Sequence, residues 1–105
     1  TNAKSITLHD GVTAIGYYAF MSHKAKEIHL PAGLEAIGEY ALYSVLLRDV
    51  YFDKNVNQIG ENAFYIGRST TFHLYPNTYA QQYAMDNGIK YEILGNIDNL
   101  EGGID

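Results

Sequence analysis

The sequence predicts an α/β repeat: a solenoid of about three 22-residue coils, with a parallel β-sheet along one face and a helix–strand cap at the C-terminal end. Two observations carry this. The phrases "AIGYYAF" (14–20), "AIGEYAL" (36–42) and "QIGENAF" (58–64) recur at a spacing of 22 residues. Around them the same register aligns Ile6, Ile28, Val50 and Phe72; Leu8, Leu30, Phe52 and Leu74; Val12, Leu34 and Val56; and Ile15, Ile37 and Ile59. Ala19, Ala41, Ala63 and Phe20, Leu42, Phe64 complete the set, so 20 aligned positions are all apolar in a chain that is 47% hydrophobic. Chance would do this on the order of once in a million, which establishes the period as real. Gly16, Gly38 and Gly60 are identical at their shared position.

Each coil opens on an alternating phrase, "SITLHD", "EIHLPA", "DVYFDK" or "TFHLYP". Alternation at period 2 over so few residues predicts a strand with one buried face, Ile6 and Leu8 inward and Thr7 outward. A turn follows at Gly11, Gly33 or Asn55, residue types that tolerate positive φ. The next phrase, "VTAI", "LEAI" or "VNQI", suits a short extended piece on a second face. The second glycine then starts a turn where only a small residue permits close backbone approach, and Ala19–Phe20 and its copies are expected in a short helical turn. One such unit cannot bury its own apolar face, so coils must stack, as a right-handed solenoid with first strands paired in parallel.

These residues resemble the BspA-like leucine-rich repeats of bacterial surface proteins. The pattern is Ile-x-Leu-Pro followed by x-Gly-Val/Leu-x-x-Ile-Gly-x-x-Ala-Phe. "IHLPAGLEAIGEYAL" (28–42) fits best, and 6–20 and 50–64 follow with His9 and Asp53 in place of proline. Segment 75–94, "YPNTYAQQYAMDNGIKYEIL", is similar to the unit that closes such arrays, and the likeness spans about nine-tenths of the chain. The sequence departs from the pattern at His23, Val45 and Gly67, where the family often has Cys, and at Ala25 and Ser69, where it often has Leu. The resemblance implies a leucine-rich-repeat solenoid acting as a secreted or surface-displayed interaction module, commonly within a longer protein. It implies no catalytic residues.

The predicted organisation is a solenoid over 1–94, with coils 5–26, 27–48 and 49–70 and a cap at 71–94, then a flexible acidic tail or linker stub at 95–105. In the cap, Asn77 is the expected helix N-cap, and Tyr79, Ala80, Tyr83 and Ala84 form one apolar stripe. Asn87–Gly88 is the expected left-handed stop, and "IKYEI" reads as a last strand with Ile89, Tyr91 and Ile93 inward. No matching cap precedes Ile6, which points to the C-terminal part of a longer array or to self-association through that end.

Composition narrows the function. Twelve acidic against seven basic residues give a net charge of −5 with no Lys/Arg run, which argues against nucleic acid or an anionic membrane as partner. No stretch approaches the ~18 apolar residues of a membrane helix. Absence of cysteine excludes disulfides and thiolate chemistry. The outward strand column reads Thr7, His29, Tyr51, His73, flanked by Ser5, Glu27, Asp49, Thr71 and by His9, Pro31, Asp53, Tyr75. Broad strand faces are where solenoids recruit partners, and tyrosine supplies rigid amphipathic contact area. The candidate binding residues are therefore Thr7, His29, Tyr51 and His73, with Glu27 and Asp49 beside them; the same residues also fit ordinary exposed sheet positions. His29 and His73 lie two strands apart, about 10 Å, too far to share a metal. Ser22 and His23 lack an acidic partner at the same coil height, and "DNLEGGID" lacks the spacing of a calcium loop. The sequence thus predicts no cofactor, metal or enzymatic activity. It predicts a non-catalytic protein-binding or adhesion module at a bacterial surface or outside the cell, with a glycan-binding or spacer module attached to an enzyme as the alternative. Tyr17, Tyr18, Tyr40, Tyr43 and Tyr65 cluster around the glycine turn, where they either pack over coil edges or stack on sugar rings.

Overall fold

The structure is a computed structural model and describes residues 5–20, 25–44, 46–64 and 70–94. Its elements in order are β1 (Ser5–Thr7), β2 (Ala14–Ile15), β3 (Glu27–His29), β4 (Ala36–Ile37), β5 (Asp49–Tyr51), β6 (Gln58–Ile59), β7 (Thr71–Leu74), α1 (Tyr79–Asp86) and β8 (Lys90–Ile93). Two parallel sheets result, β1-β3-β5-β7-β8 along one face and β2-β4-β6 along another. The sequence period is the pairing register. Ile6 pairs with Ile28, Ile28 with Val50 and Val50 with Phe72, while Ile15, Ile37 and Ile59 align in the second sheet.

Between the sheets lies one continuous apolar core. Ile28, Leu34, Ile37, Leu42, Leu47, Val50, Phe64, Phe72 and Leu74 are each under 2% exposed or nearly so. Phe52, Phe64 and Phe72 meet with centroids 4.7–6.1 Å apart, and Tyr83 of α1 stacks on Phe72 at 6.2 Å. That contact, with buried Ala80, Ala84 and Ile89, is how the cap closes the last coil. Covering the core end in this way removes apolar area worth about 25 cal/mol per Å² from water.

The corners differ from expectation in two respects. Gly11, Gly33 and Asn55 do not use positive φ; the first corner is a β-turn closed by Val12 N–H to His9 O and Leu34 N–H to Pro31 O, both 3.1 Å. Asn55 serves differently, donating its side-chain amide to Ala32 O of the preceding coil at 2.7 Å. The second corner is not a helical turn. Ala19, Ala41 and Ala63 donate to Gly16 O, Gly38 O and Gly60 O, each at 3.1 Å, and positive φ falls two residues after each glycine, at Tyr18 (60°), Tyr40 (58°) and Asn62 (56°). A positive φ at the third residue of such a turn is the type II pattern. The corners are stitched coil to coil by Tyr18 N–H to Glu39 O (3.0 Å), Phe20 N–H to Ala41 O (2.7 Å) and Leu42 N–H to Ala63 O (2.9 Å).

Close approach at the second glycine is found at Gly38 and Gly60 but not at Gly16, where an added Cβ would meet nothing within 4 Å. A Cβ on Gly38 would stand 2.9 Å from backbone atoms of Gly16 and Tyr17, and one on Gly60 would stand 2.6 Å from Glu39 N. In the cap, the N-cap is Thr78 rather than Asn77: Thr78 Oγ1 accepts from Gln81 N–H, while Asn77 sits at φ 62° and gives its own N–H to Gln81 Oε1. Gly88 at φ 67° ends α1, with Gly88 N–H bonded to Met85 O and Ile89 N–H to Ala84 O, the paired bonds of a Schellman motif. Ile89 is buried and Tyr91 packs on the core, but Ile93 is 43% exposed because β8 is the edge strand of the described sheet.

Candidate binding face

The parallel register places Thr7, His29, Tyr51 and His73 side by side on adjacent strands. β8 extends the row with Glu92, which pairs with His73. Alternation turns all of these away from the core, since their neighbours Ile28, Val50 and Phe72 are fully buried. At parallel strand spacing, planar side chains in one column must either splay or stack. Here they stack. The His29 and Tyr51 rings lie 4.5 Å apart and 2° from parallel, and Tyr51 and His73 lie 4.3 Å apart and 9° from parallel.

Carboxylates hold both histidines. His29 Nε2 pairs with Glu27 on its own strand. His73 Nε2 meets Asp49 Oδ1 at 2.8 Å, and its Nδ1 faces Glu92 Oε1 at 3.4 Å. The two nitrogens of an imidazole point apart, so Asp49 and Glu92 stand on different sides of the His73 ring. They cannot converge on one ion, and among the described residues no group of three metal-ligating side chains exists. Burial pushes the Tyr51 phenol above its ordinary pKa, and the carboxylates of Asp49, Glu27 and Glu92 push the same way. Its hydroxyl therefore stays protonated and available as a donor.

Both faces of the Tyr51 ring are covered by histidines, so a partner meets this residue at its edge and hydroxyl. The His73 side chain is only 13% exposed, whereas those of His29, Glu27 and Asp49 are 41–42% exposed. The row is thus most open toward His29 and the exposed Thr7. The structure brings all six sequence-derived candidates onto one face, and it adds Glu92. That residue was missed because the cap strand pairs at an offset of 19, as Thr71 with Lys90, and so lies outside the 22-residue columns.

Two further surfaces lie outside this face. A groove of about 880 Å³ opens between the last coil and the cap, lined by Lys54, Asn57, Tyr75, Asn77, Tyr79 and Leu94 among others. Lys54 Nζ stands over the Tyr75 ring at 5.1 Å. At the second corner, Tyr17, Tyr18, Tyr40 and Tyr43 form a run of touching rings. Tyr65, Ser22 and His23 lie outside the described residues, as does the segment 95–105.

No curated protein and no solved structure matches the chain significantly. A family model described as "BspA type Leucine rich repeat region (6 copies)" matches residues 1–98. With the parallel-strand solenoid and its 22-residue register, that match settles the family: the chain belongs to the BspA type leucine-rich repeats.

Proposed function

We propose that the chain is a non-catalytic protein-binding or adhesion module of a bacterial extracellular or surface protein, and that it binds through the outward strand face. The observation that carries this reading is the ladder of His29, Tyr51 and His73, with its polar edge flanked by Glu27, Asp49 and Glu92. Rings held by stacking and by hydrogen bonds to carboxylates lose little freedom on binding, so contact energy is not spent on ordering them. Family membership supports an interaction scaffold, since repeat solenoids present extended surfaces of this kind. The carboxylates favour a partner surface carrying hydrogen-bond donors or basic side chains.

The test immobilises the chain and measures binding to a panel of extracellular and cell-surface proteins, then repeats it with the double variant His29→Ala/Tyr51→Ala. Both positions are outward-facing, so the variant keeps its melting transition and loses a partner that the wild type binds. Truncating a hot-spot aromatic weakens binding by about 2 kcal/mol or more, roughly thirtyfold. Partner binding that survives the double substitution would place the interaction elsewhere.

A further inference from the structure

The tyrosines of the second corner form a separate surface that the strand-face reading does not use. Tyr17 and Tyr18 are 62% and 46% exposed, while Tyr40 and Tyr43 are half-buried. Ring centroids step from Tyr17 to Tyr18 (4.3 Å), Tyr18 to Tyr40 (5.2 Å) and Tyr40 to Tyr43 (5.4 Å), with planes tilted by 40–55°. The run crosses two coils and is tied to a third, because Asn62 Nδ2 donates to the Tyr40 hydroxyl at 3.2 Å. Glu39 lies at the same corner; with Tyr18, whose hydrogen bond is the larger effect, it holds the Tyr17 phenol above its ordinary pKa.

The backbone singles out two of these residues. Tyr18 and Tyr40 occupy the left-handed region, at φ 60° and 58°. A bulky side chain is disfavoured there by contact of its Cβ with the following carbonyl, whereas asparagine is tolerated. The third coil makes the same turn with Asn62 at φ 56°. The fold therefore requires a left-handed residue at this position and does not require tyrosine. Strain retained at a corner that solvent reaches, at exposed Tyr18 and half-buried Tyr40, where a cheaper residue serves the same turn in the third coil, marks a site used for something other than folding.

We propose that Tyr17, Tyr18, Tyr40 and Tyr43 form a platform for a neutral oligosaccharide, with pyranose rings lying against the tyrosine faces along the solenoid axis. A linear run of rings, each step comparable to one sugar unit, suits an extended ligand built of ring units. The tyrosine hydroxyls, the Asn62 amide and the Glu39 carboxylate supply both donors and acceptors for sugar hydroxyls, the combination of apolar surface and few placed polar groups that small-ligand sites share. Glu39 and the net charge of −5 oppose an acidic glycan. The rings already touch one another, so their ordering cost on binding is small.

The test titrates the 105-residue chain with cellohexaose, mannohexaose and chitohexaose, reading tyrosine ring resonances by NMR, with polygalacturonate as the acidic control. At least one neutral hexasaccharide gives saturable shifts of the corner tyrosines, and polygalacturonate gives none. Tyr18→Asn and Tyr40→Asn each keep a cooperative melting transition, because Asn62 already adopts this turn, and each weakens sugar affinity roughly tenfold. Tyr51→Ala leaves sugar binding unchanged, which separates this site from the strand face. Failure of all three neutral sugars to bind, or undiminished binding in both asparagine variants, overturns the proposal. A lower melting midpoint with unchanged sugar affinity would assign the tyrosines to packing alone and overturn it equally.

Discussion

Three glycines that are indistinguishable in sequence have unequal tasks in the structure. A Cβ on Gly60 would stand 2.6 Å from Glu39 N and 2.8 Å from Gly38 C, and the obstructing atoms are backbone that cannot swing aside. At Gly16 the same Cβ would meet nothing within 4 Å, and φ there is not positive. Gly60→Ala should therefore push two coils apart and cost about 1–3 kcal/mol, as overpacking does. Gly16→Ala should be neutral or stabilising by up to about 1 kcal/mol, through the smaller entropy of the unfolded chain. Urea denaturation of both variants decides it, and equal losses would show that the glycines are needed for conformation and not for space. The reverse case is the left-handed residue, which sequence reasoning placed on Gly11, Gly33 and Asn55 because those types accept positive φ. The turn puts it on Tyr18, Tyr40 and Asn62 instead; the two tyrosines run against residue preference, and within that column only Asn62 is a residue type that signals a left-handed φ.

Strands were the most legible elements, because alternation inside each phrase and apolar columns between phrases both point to the same buried face. The 22-residue register carried over directly into Glu27–Asp49, Ile28–Val50 and His29–Tyr51 pairing. The cap was legible in kind but shifted in detail. The expected N-cap lies one residue early: Asn77 takes a left-handed φ and passes its N–H to Gln81 Oε1, so the cap falls on Thr78. Thr78→Ala should accordingly lower stability by about 1 kcal/mol, the usual cost of removing a cap. Asn77→Gly should be neutral or better, since glycine fits φ 62° more easily than asparagine. Thermal melts that ranked these two variants the other way would return the cap to Asn77. Ile93 and Glu92 were not legible for a related reason. The connection through α1 resets the offset to 19, so the outward partner of His73 and the exposure of the last isoleucine depend on the cap's own geometry and not on the repeat.

At the scale of the whole molecule, each coil packs chiefly on its neighbours, so stability is close to a sum of coil and interface contributions. A lesion in the middle coil removes two interfaces at once. Ile37 shows this best: it is 1% exposed and pairs with Ile15 on one side and Ile59 on the other. The six candidate binding residues depend on that stack without touching it, because the strand face keeps its ladder only while β1, β3, β5 and β7 hold register. Ile37→Asp would place an unpaired carboxylate among apolar side chains. The penalty, several kcal/mol even after the carboxyl neutralises, is comparable to the whole stability of a domain this size, about 5–15 kcal/mol. Far-UV circular dichroism and urea denaturation should find this variant unfolded, while Ile37→Val, which deletes one methylene, should lose only about 0.5–1.5 kcal/mol and keep its sheet signal. A cooperative transition retained by Ile37→Asp would mean that the second sheet is not part of the common core. Partner binding measured on the same two variants should then follow the fold, present in Ile37→Val and absent in Ile37→Asp, because the face is a property of stacked coils and no single coil can present it.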